Sequence, residues 1–280
     1  MRLTFLGTGS AFCMKNFQTN VLIERNGKNL LVDAGSDIRF SLKEQGFYYG
    51  DIDAIYVTHL HADHIGGLEY FAFCTYFDPR VKEKITLIGN NELIRELWNN
   101  SLKGGLKSIQ GKKTTLHDFF DVMMIRKNNY FHWENIEFHI VQSIHIINEY
   151  AIVPSFGLMI HDPDSGKKIY YTGDTQFNPH QIMDFYNQAD LIIQDCESAP
   201  YDSGVHANYH ELKTLPEDVK KKMLLQHYQD NVLDESGYVC PEWLKNAQDD
   251  GFMTSDFNWA GFIPKGTVLD TEKILGRDNN

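Results

Sequence analysis

No apolar run in this 280-residue sequence approaches the roughly 20 residues that a membrane-spanning helix requires, so no spanning segment is expected. A targeting segment is not expected either, because Met1–Gly7 reads at once as a strand entering a glycine turn. Cysteine is scarce. Cys13, Cys74, Cys196 and Cys240 are scattered without a Cys-x-x-Cys pair, which argues against a disulfide framework and for mostly buried, reduced thiols in a cytoplasm. Basic charge is also short: 26 Lys and Arg stand against 38 Asp and Glu, a formal net charge of −12. Long nucleic acid held by phosphate neutralisation is therefore not expected. A small anionic substrate is still allowed, since bound divalent cations would dominate the local field. No repeat and no linker-like stretch divides the chain, so one domain over residues 1–280 is expected. Apolar residues, by contrast, are ample: 42% hydrophobic with 13% aromatic content supports a sizeable core and excludes wholesale disorder.

The sequence alternates short strands with helices. Strands are expected at Leu3–Leu6, Val21–Arg25, Lys28–Val32, Ala54–Thr58 and Ile85–Ile88, with Asn26-Gly27 as a two-residue hairpin turn. Helices are expected at Asp37–Gln45, from Gly67 to Cys74, and at Glu92–Asn99. Asn100–Thr115, with four lysines among glycines, reads as a solvated loop; a mobile basic flap over an anionic substrate is the alternative. Further strands are expected at Val122–Ile125, Ile136–Val141, Phe156–Ile160, Lys168–Thr172, Leu191–Gln194 and Met223–Gln226. Helices follow at Pro179–Tyr186 and Glu211–Leu215, and weak strands near Ala260–Ile263 and Thr267–Leu269. Sheets packed on each other with helices outside are the expected arrangement.

The most informative stretch is Thr58-His59-Leu60-His61-Ala62-Asp63-His64, directly after the apolar run Ala54–Val57. In extended backbone His59 and His61 share a face. Asp63 and His64 follow where the chain bends into Gly66-Gly67, so they address a second point nearby. Burying so many nitrogen and oxygen ligands without metal would cost several kcal/mol in unpaired polar groups. Their chemistry suits divalent ions, with Zn first and Mn or Fe as alternatives. Three more ligands share one logic, a polar residue shortly after an apolar strand: His145, Asp174 after Gly173, and His227 after Met223–Gln226. His59, His61 and His145 are expected to hold one metal; Asp63, His64 and His227 the other, with Asp174 bridging.

These motifs resemble the metallo-β-lactamase-fold superfamily, whose His-x-His-x-Asp-His signature stands here as His59, His61, Asp63 and His64. Phe5–Ser10, Asp33-Ala34-Gly35 and Tyr171–Thr175 also match, and the likeness runs from residue 1 to about His227. The resemblance implies an α/β fold, an αββα sandwich of two mixed sheets with outer helices and the metals at the mouth. Within the superfamily the chain is similar to ribonuclease Z and related phosphodiesterases. That likeness implies an acid and a histidine for proton transfer, which fall on Asp195 and His206, with Glu197 competing for the acid's place. His206 is also readable as a surface-loop histidine.

Two metals about 3.5–4 Å apart activate water for in-line attack and clamp phosphoryl oxygens; the leaving oxygen then needs a proton, for which His206 is the candidate acid. Three functions compete: hydrolysis of a small phosphodiester such as a cyclic nucleotide, tRNA 3′-end processing, and a non-hydrolytic metal-binding or redox role. Bacterial ribonuclease Z carries a long tRNA-gripping arm between the ligands matching His145 and Asp174. Here only 28 residues, Ile146 to Gly173, separate them, which favours a compact substrate. The sequence is similar to armless cyclic-nucleotide phosphodiesterases, including the anti-Pycsar type. That resemblance implies a homodimer in which part of one subunit reaches the other's active site. Trp243, Phe252, Phe257, Trp259 and Phe262 read as rings that close the core, with a subunit contact or base stacking as alternatives. Asn16–Asn20 reads as an ordinary polar loop, with a place lining the mouth as the alternative.

Overall fold

The computed structural model describes residues 1–126, 129–253 and 260–273. Strands β1 (Arg2–Gly7), β2 (Asn20–Arg25), β3 (Lys28–Val32), β4 (Ala54–Val57) and β5 (Thr86–Asn90) open the chain. A small separate hairpin follows, β6 (Ser108–Ile109) with β7 (Lys112–Lys113). Next come β8 (Asp121–Ile125), β9 (Tyr130–Trp133), β10 (Ile136–Asn148), β11 (Ala151–Asp162), β12 (Lys167–Tyr171), β13 (Leu191–Asp195), β14 (Met223–Gln226) and β15 (Val268–Asp270). One sheet runs β15-β1-β2-β3-β4-β5-β8 and the other β14-β13-β12-β11-β10-β9. Both are mixed: β3, β4, β5 and β8 are parallel, as are β12, β13 and β14, while the remaining neighbours are antiparallel.

Strand periodicity explains the layering. On β12 and β13, Ile169, Tyr171, Leu191 and Ile193 point into a core shared with Phe5, Leu22 and Ile55 of the other sheet. Their neighbours Tyr170 and Ile192 point the other way, onto Ile182 and Tyr186 of the helix Pro179–Gln188. Alternation with both faces buried demands a layer on each side. On the first sheet the outer layer includes helices Ile38–Glu44 and Leu68–Phe77, whose Leu42, Leu68 and Phe71 join the main core.

Several expectations need correction. The Lys-rich stretch is ordered: Asn91–Glu96 continues as a wide π-type turn over Leu97–Leu102 and a short helix at Lys103–Leu106. The wide turn has a cause in the five-residue step from Leu97 to Leu102, since both side chains are buried. Lys103, Lys107, Lys112 and Lys113 are exposed, as a solvated reading requires, but the backbone is no loop. Strands β10 and β11 run well past their apolar cores, so His145 lies inside β10, at its bulge, rather than after it. Ala260–Ile263 contributes an isolated bridge, Leu225 to Phe262. Of the cysteines only Cys196 is buried; Cys13, Cys74 and Cys240 are half-buried free thiols.

Candidate metal centre

Strand ends build the site. β4 stops at Val57, and the next carbonyl, Thr58 O, accepts from Phe156 N of β11 at 2.9 Å, tying the two sheets together at the mouth. Asp33, in left-handed backbone (φ 63°) just after β3, accepts from Thr58 N and Thr58 Oγ1, both at 2.8 Å. The same carboxylate accepts a hydrogen bond from His64 Nδ1 at 2.8 Å. Extended backbone at His61 starts the one-turn helix Ala62–Ile65, which swings Asp63 and His64 back toward His59. Gly35 makes this possible, because a Cβ there would strike the Asp63 carbonyl oxygen.

The opposite wall comes from the second sheet. Gly173, two residues past β12, adopts left-handed backbone (φ 61°), where a Cβ would come within 2.6 Å of Ser155 Oγ, and it delivers Asp174. His227 follows β14, also left-handed (φ 66°), with its N–H donated to Thr8 O at 2.7 Å. Such backbone in a non-glycine residue is uncommon and concentrates at functional sites.

Two donor groups converge. His61 Nδ1 lies 3.0 Å from His59 Nε2 and 3.1 Å from His145 Nε2. Asp63 Oδ2 lies 3.1 Å from His64 Nε2 and 3.2 Å from His227 Nε2. Asp174 Oδ2 sits between the groups, 3.3 Å from His64 Nε2, 3.5 Å from His227 Nε2, 3.6 Å from His59 Nε2 and 3.9 Å from His145 Nε2. Within each set, His59–His61–His145–Asp174 and Asp63–His64–Asp174–His227, the offered atoms all lie within 4.8 Å of one another.

Despite this crowding, Asp174 Oδ2 and His64 Nε2 are buried and make no hydrogen bond. Native interiors rarely leave such atoms unpaired, because the desolvation cost is borne without return. Nitrogen and carboxylate donors in fours are what divalent transition ions take. The residues therefore fit divalent cations.

Hydrogen bonds behind the donors set their protonation. His145 Nδ1 faces Val205 O at 2.9 Å; a carbonyl only accepts, so the proton sits on Nδ1 and the Nε2 lone pair points inward. Burial pushes His59, His61 and His145 toward the neutral imidazole that ligation requires. Asp63 and Asp174 go the other way. Burial alone would raise their carboxyls, but the surrounding histidines hold both below the usual carboxylate range.

His206 is on the same rim. Its ring stacks on His227 at 4.7 Å between centroids, and its Nδ1 donates to Asp195 Oδ2 at 2.8 Å. Burial works against its charged form, yet the Asp195 carboxylate lifts it to about 9. Asp195 is fixed in turn by Thr175 N at 2.8 Å.

A family model described as anti-Pycsar protein Apyc1 matches residues 1–248. The chain belongs to this family. It is 34% identical over 240 residues to the anti-Pycsar protein Apyc1 of Paenibacillus xerothermodurans, covering 83% of this chain and 89% of that protein. Among solved structures it is similar to the metallo-β-lactamase fold protein YhfI from Bacillus subtilis, with TM-score 0.69 and 17% identity over 96% of this chain and 99% of that one. It is also similar to a diphosphatase from the PhnP family, with TM-score 0.70 and 18% identity over 96% and 97% of the two chains. The αββα sandwich implied by the sequence is the fold of this Apyc1-family chain.

Between the two acids considered for His206, the Apyc1-family structure brings Asp195 into contact. Glu197 instead accepts from Ser203 N at 2.9 Å and shapes the loop that carries His206. The Asn16–Asn20 segment is engaged with the framework: Asn16 Nδ2 donates to Thr8 Oγ1 at 2.8 Å and Asn20 Oδ1 accepts from Gly35 N at 2.9 Å. Phe252 and Phe262 are buried and Trp243 packs on Phe262, so these rings close the core; Phe257 and Trp259 lie outside the described residues. Two contributors carried no role in the sequence reading. Asp33 had a visible signal, the Asp33-Ala34-Gly35 turn after a strand, whereas the Val205 carbonyl is a backbone group with none.

Proposed function

We propose that this Apyc1-family chain is a metal-dependent phosphodiesterase that hydrolyses a compact cyclic nucleotide as a single-domain enzyme. The observation carrying this reading is the position of Asp174 between two otherwise complete donor groups. His59, His61 and His145 would hold one divalent ion, Asp63, His64 and His227 a second, and Asp174 both. When bound, the ions, Zn or else Mn or Fe, supply Lewis acidity toward a phosphoryl oxygen and make water acidic enough to attack near neutral pH.

The protein's own groups divide the proton work. Asp63, held ionised and therefore a weak base, would orient the attacking water by accepting a hydrogen bond, while the proton that the water loses on ionising passes to solvent. As the new P–O bond forms and the ester P–O bond breaks, His206 gives a proton to the departing ribose oxygen, and Asp195 positions its ring. Compactness is supported by residues 146–173, which are largely taken up by the end of β10, by β11 and by β12, leaving no length for an arm that would grip RNA. The net charge of −12 points the same way.

A homodimer belongs to the proposal, supported by Phe12 and Met14, which are 91% and 88% exposed on the turn beyond β1. So does a reducing cytoplasmic setting, supported by four free cysteines. Among the described residues, no helix is long and apolar enough to cross a membrane. Metal analysis should return about two equivalents per chain, and cyclic nucleotides and an aryl phosphodiester should be cleaved while precursor tRNA is not. A single equivalent, or efficient cleavage of tRNA 3′ ends, overturns the proposal.

A further inference from the structure

A cavity of about 300 Å³ is lined by residues that neighbour the candidate ligands in chain and sheet, though by none of the ligands themselves. Leu60, which lines it, stands between His59 and His61 in the chain. Gln142, another lining residue, lies on β10 three residues before His145 and pairs across to Phe156 of β11. Asn90 ends β5 one residue beyond Gly89, the partner of Val57 at the end of β4. The cavity is therefore built from segments that continue or flank those carrying His59, His61 and His145.

Its walls are of two kinds. Leu60, Val153 and Phe156 are apolar, whereas Asn90, Glu92 and Gln142 carry hydrogen-bonding groups. Asn90 is only 3% exposed, and its Oδ1 already accepts from Glu92 N at 2.9 Å and Leu93 N at 3.4 Å. That leaves Nδ2 as a donor, and among the described residues it meets no protein acceptor. The side chains of Glu92 and Gln142 are likewise unengaged among the described residues. An occupant with apolar faces and with donors and acceptors at its edge matches such a lining. It is not the phosphate end, which Glu92 repels.

A larger cavity of about 910 Å³ lies at the starting ends of β4, β5 and β8, but its cations are already engaged. Lys28 pairs with Asp53 at 2.7 Å, Arg80 with Asp78 at 2.8 Å, and Lys82 and Lys84 each donate to a backbone carbonyl.

We propose that the smaller cavity is the nucleobase subsite. Leu60, Val153 and Phe156 flank the ring faces, and Asn90, Glu92 and Gln142 address the ring edge. The volume is at the small end of ligand pockets and suits one base rather than an oligonucleotide. The inference rests on the phosphodiesterase reading only for what sits on the metals.

The test separates the two. Methyl NMR of the metal-free protein, titrated with adenosine and uridine, should move the Leu60 and Val153 signals. Val153→Trp should abolish the Leu60 response, and Gln142→Ala should weaken it. With metal restored, Val153→Trp should raise KM for cyclic nucleotides about tenfold or more with kcat little changed, while the abasic ribose 3′,5′-cyclic phosphate is turned over as by the wild type. If nucleosides shift these methyls but no ester is hydrolysed, the subsite stands and the phosphodiesterase reading fails. If the wild-type methyls do not respond, or Val153→Trp impairs the abasic substrate equally, the subsite proposal is overturned.

Discussion

At the scale of single residues, Asp195 and His206 form a hydrogen-bonded pair to which the proposed function gives different duties. His206 holds a proton because Asp195 accepts at Nδ1, and the ring then has one nitrogen left for substrate. His206→Ala should lower kcat about a hundredfold or more, the usual worth of a positioned acid, without changing metal content. Asp195→Asn should lose less, because the ring keeps a hydrogen-bond acceptor and sacrifices only the charge behind it. Metal analysis alongside steady-state kinetics checks both, and loss of metal in His206→Ala would make that residue a ligand instead.

Cys13 illustrates a second residue-level effect. Its thiol donates to Asp230 Oδ1 at 2.6 Å. Burial, and then that carboxylate, push the thiol up to about 12. Since the thiolate is the reactive form, very little of Cys13 is reactive near neutral pH. Iodoacetamide should therefore modify Cys13 far more slowly than its half-buried position suggests, and Asp230→Asn should speed the reaction. Peptide mass mapping over time reads both rates; equal rates in the two proteins would remove Asp230 from the explanation.

Among the elements, Lys28–Val32 and Met223–Gln226 have the ends that their apolar runs announce, because both are short and bounded by turn residues. β10 was legible only in its apolar first half. Gln142, Ser143 and His145 interrupt the alternation, and the bulge between Ile144 and Ile146 that turns His145 inward leaves no mark in composition. β9 has four residues with Phe131 alone fully buried, too short a run to read, whereas the helix Pro241–Asp249 does carry a periodic signal, Trp243, Leu244 and Ala247 on one face, which was overlooked because so little of it is fully buried. The candidate ligands were legible as residue types near strand ends, and the structure brings them together. Their support, Asp33 and the Val205 carbonyl, depends on tertiary contact.

Glycines separate the elements that must be what they are from those that need not be. Gly173 has φ 61° and Ser155 Oγ within 2.6 Å of any Cβ, so Gly173→Ala should destabilise by about 1–3 kcal/mol and displace Asp174. Gly104 lies in the Lys103–Leu106 helix with open space around it, so Gly104→Ala should stabilise by about 0.5–1 kcal/mol. Urea unfolding of both variants measures the contrast, and metal affinity should fall only in the first.

For the whole molecule, the centre is where the two sheets are joined. His59, His61, Asp63 and His64 leave the first sheet after β4, while His145, Asp174 and His227 belong to the second. Without an ion, the mouth holds buried imidazoles against carboxylates with Asp174 Oδ2 and His64 Nε2 unpaired, and that cost is charged to the folded state alone. An ion bound by the folded chain and not by the unfolded one adds RT ln(1 + [L]/Kd), about 2.7 kcal/mol at a hundredfold excess over Kd. For a chain of this size each kcal/mol is worth roughly 2–4 °C. Stripping with a chelator should thus lower Tm by about 5–10 °C, and adding Zn or Mn back should restore it. The loss should be larger in wild type than in Asp174→Ala, which has less affinity to lose. Scanning calorimetry with and without chelator decides the point, and an unchanged Tm would mean that the side chains satisfy one another and the sheets are held together without an ion.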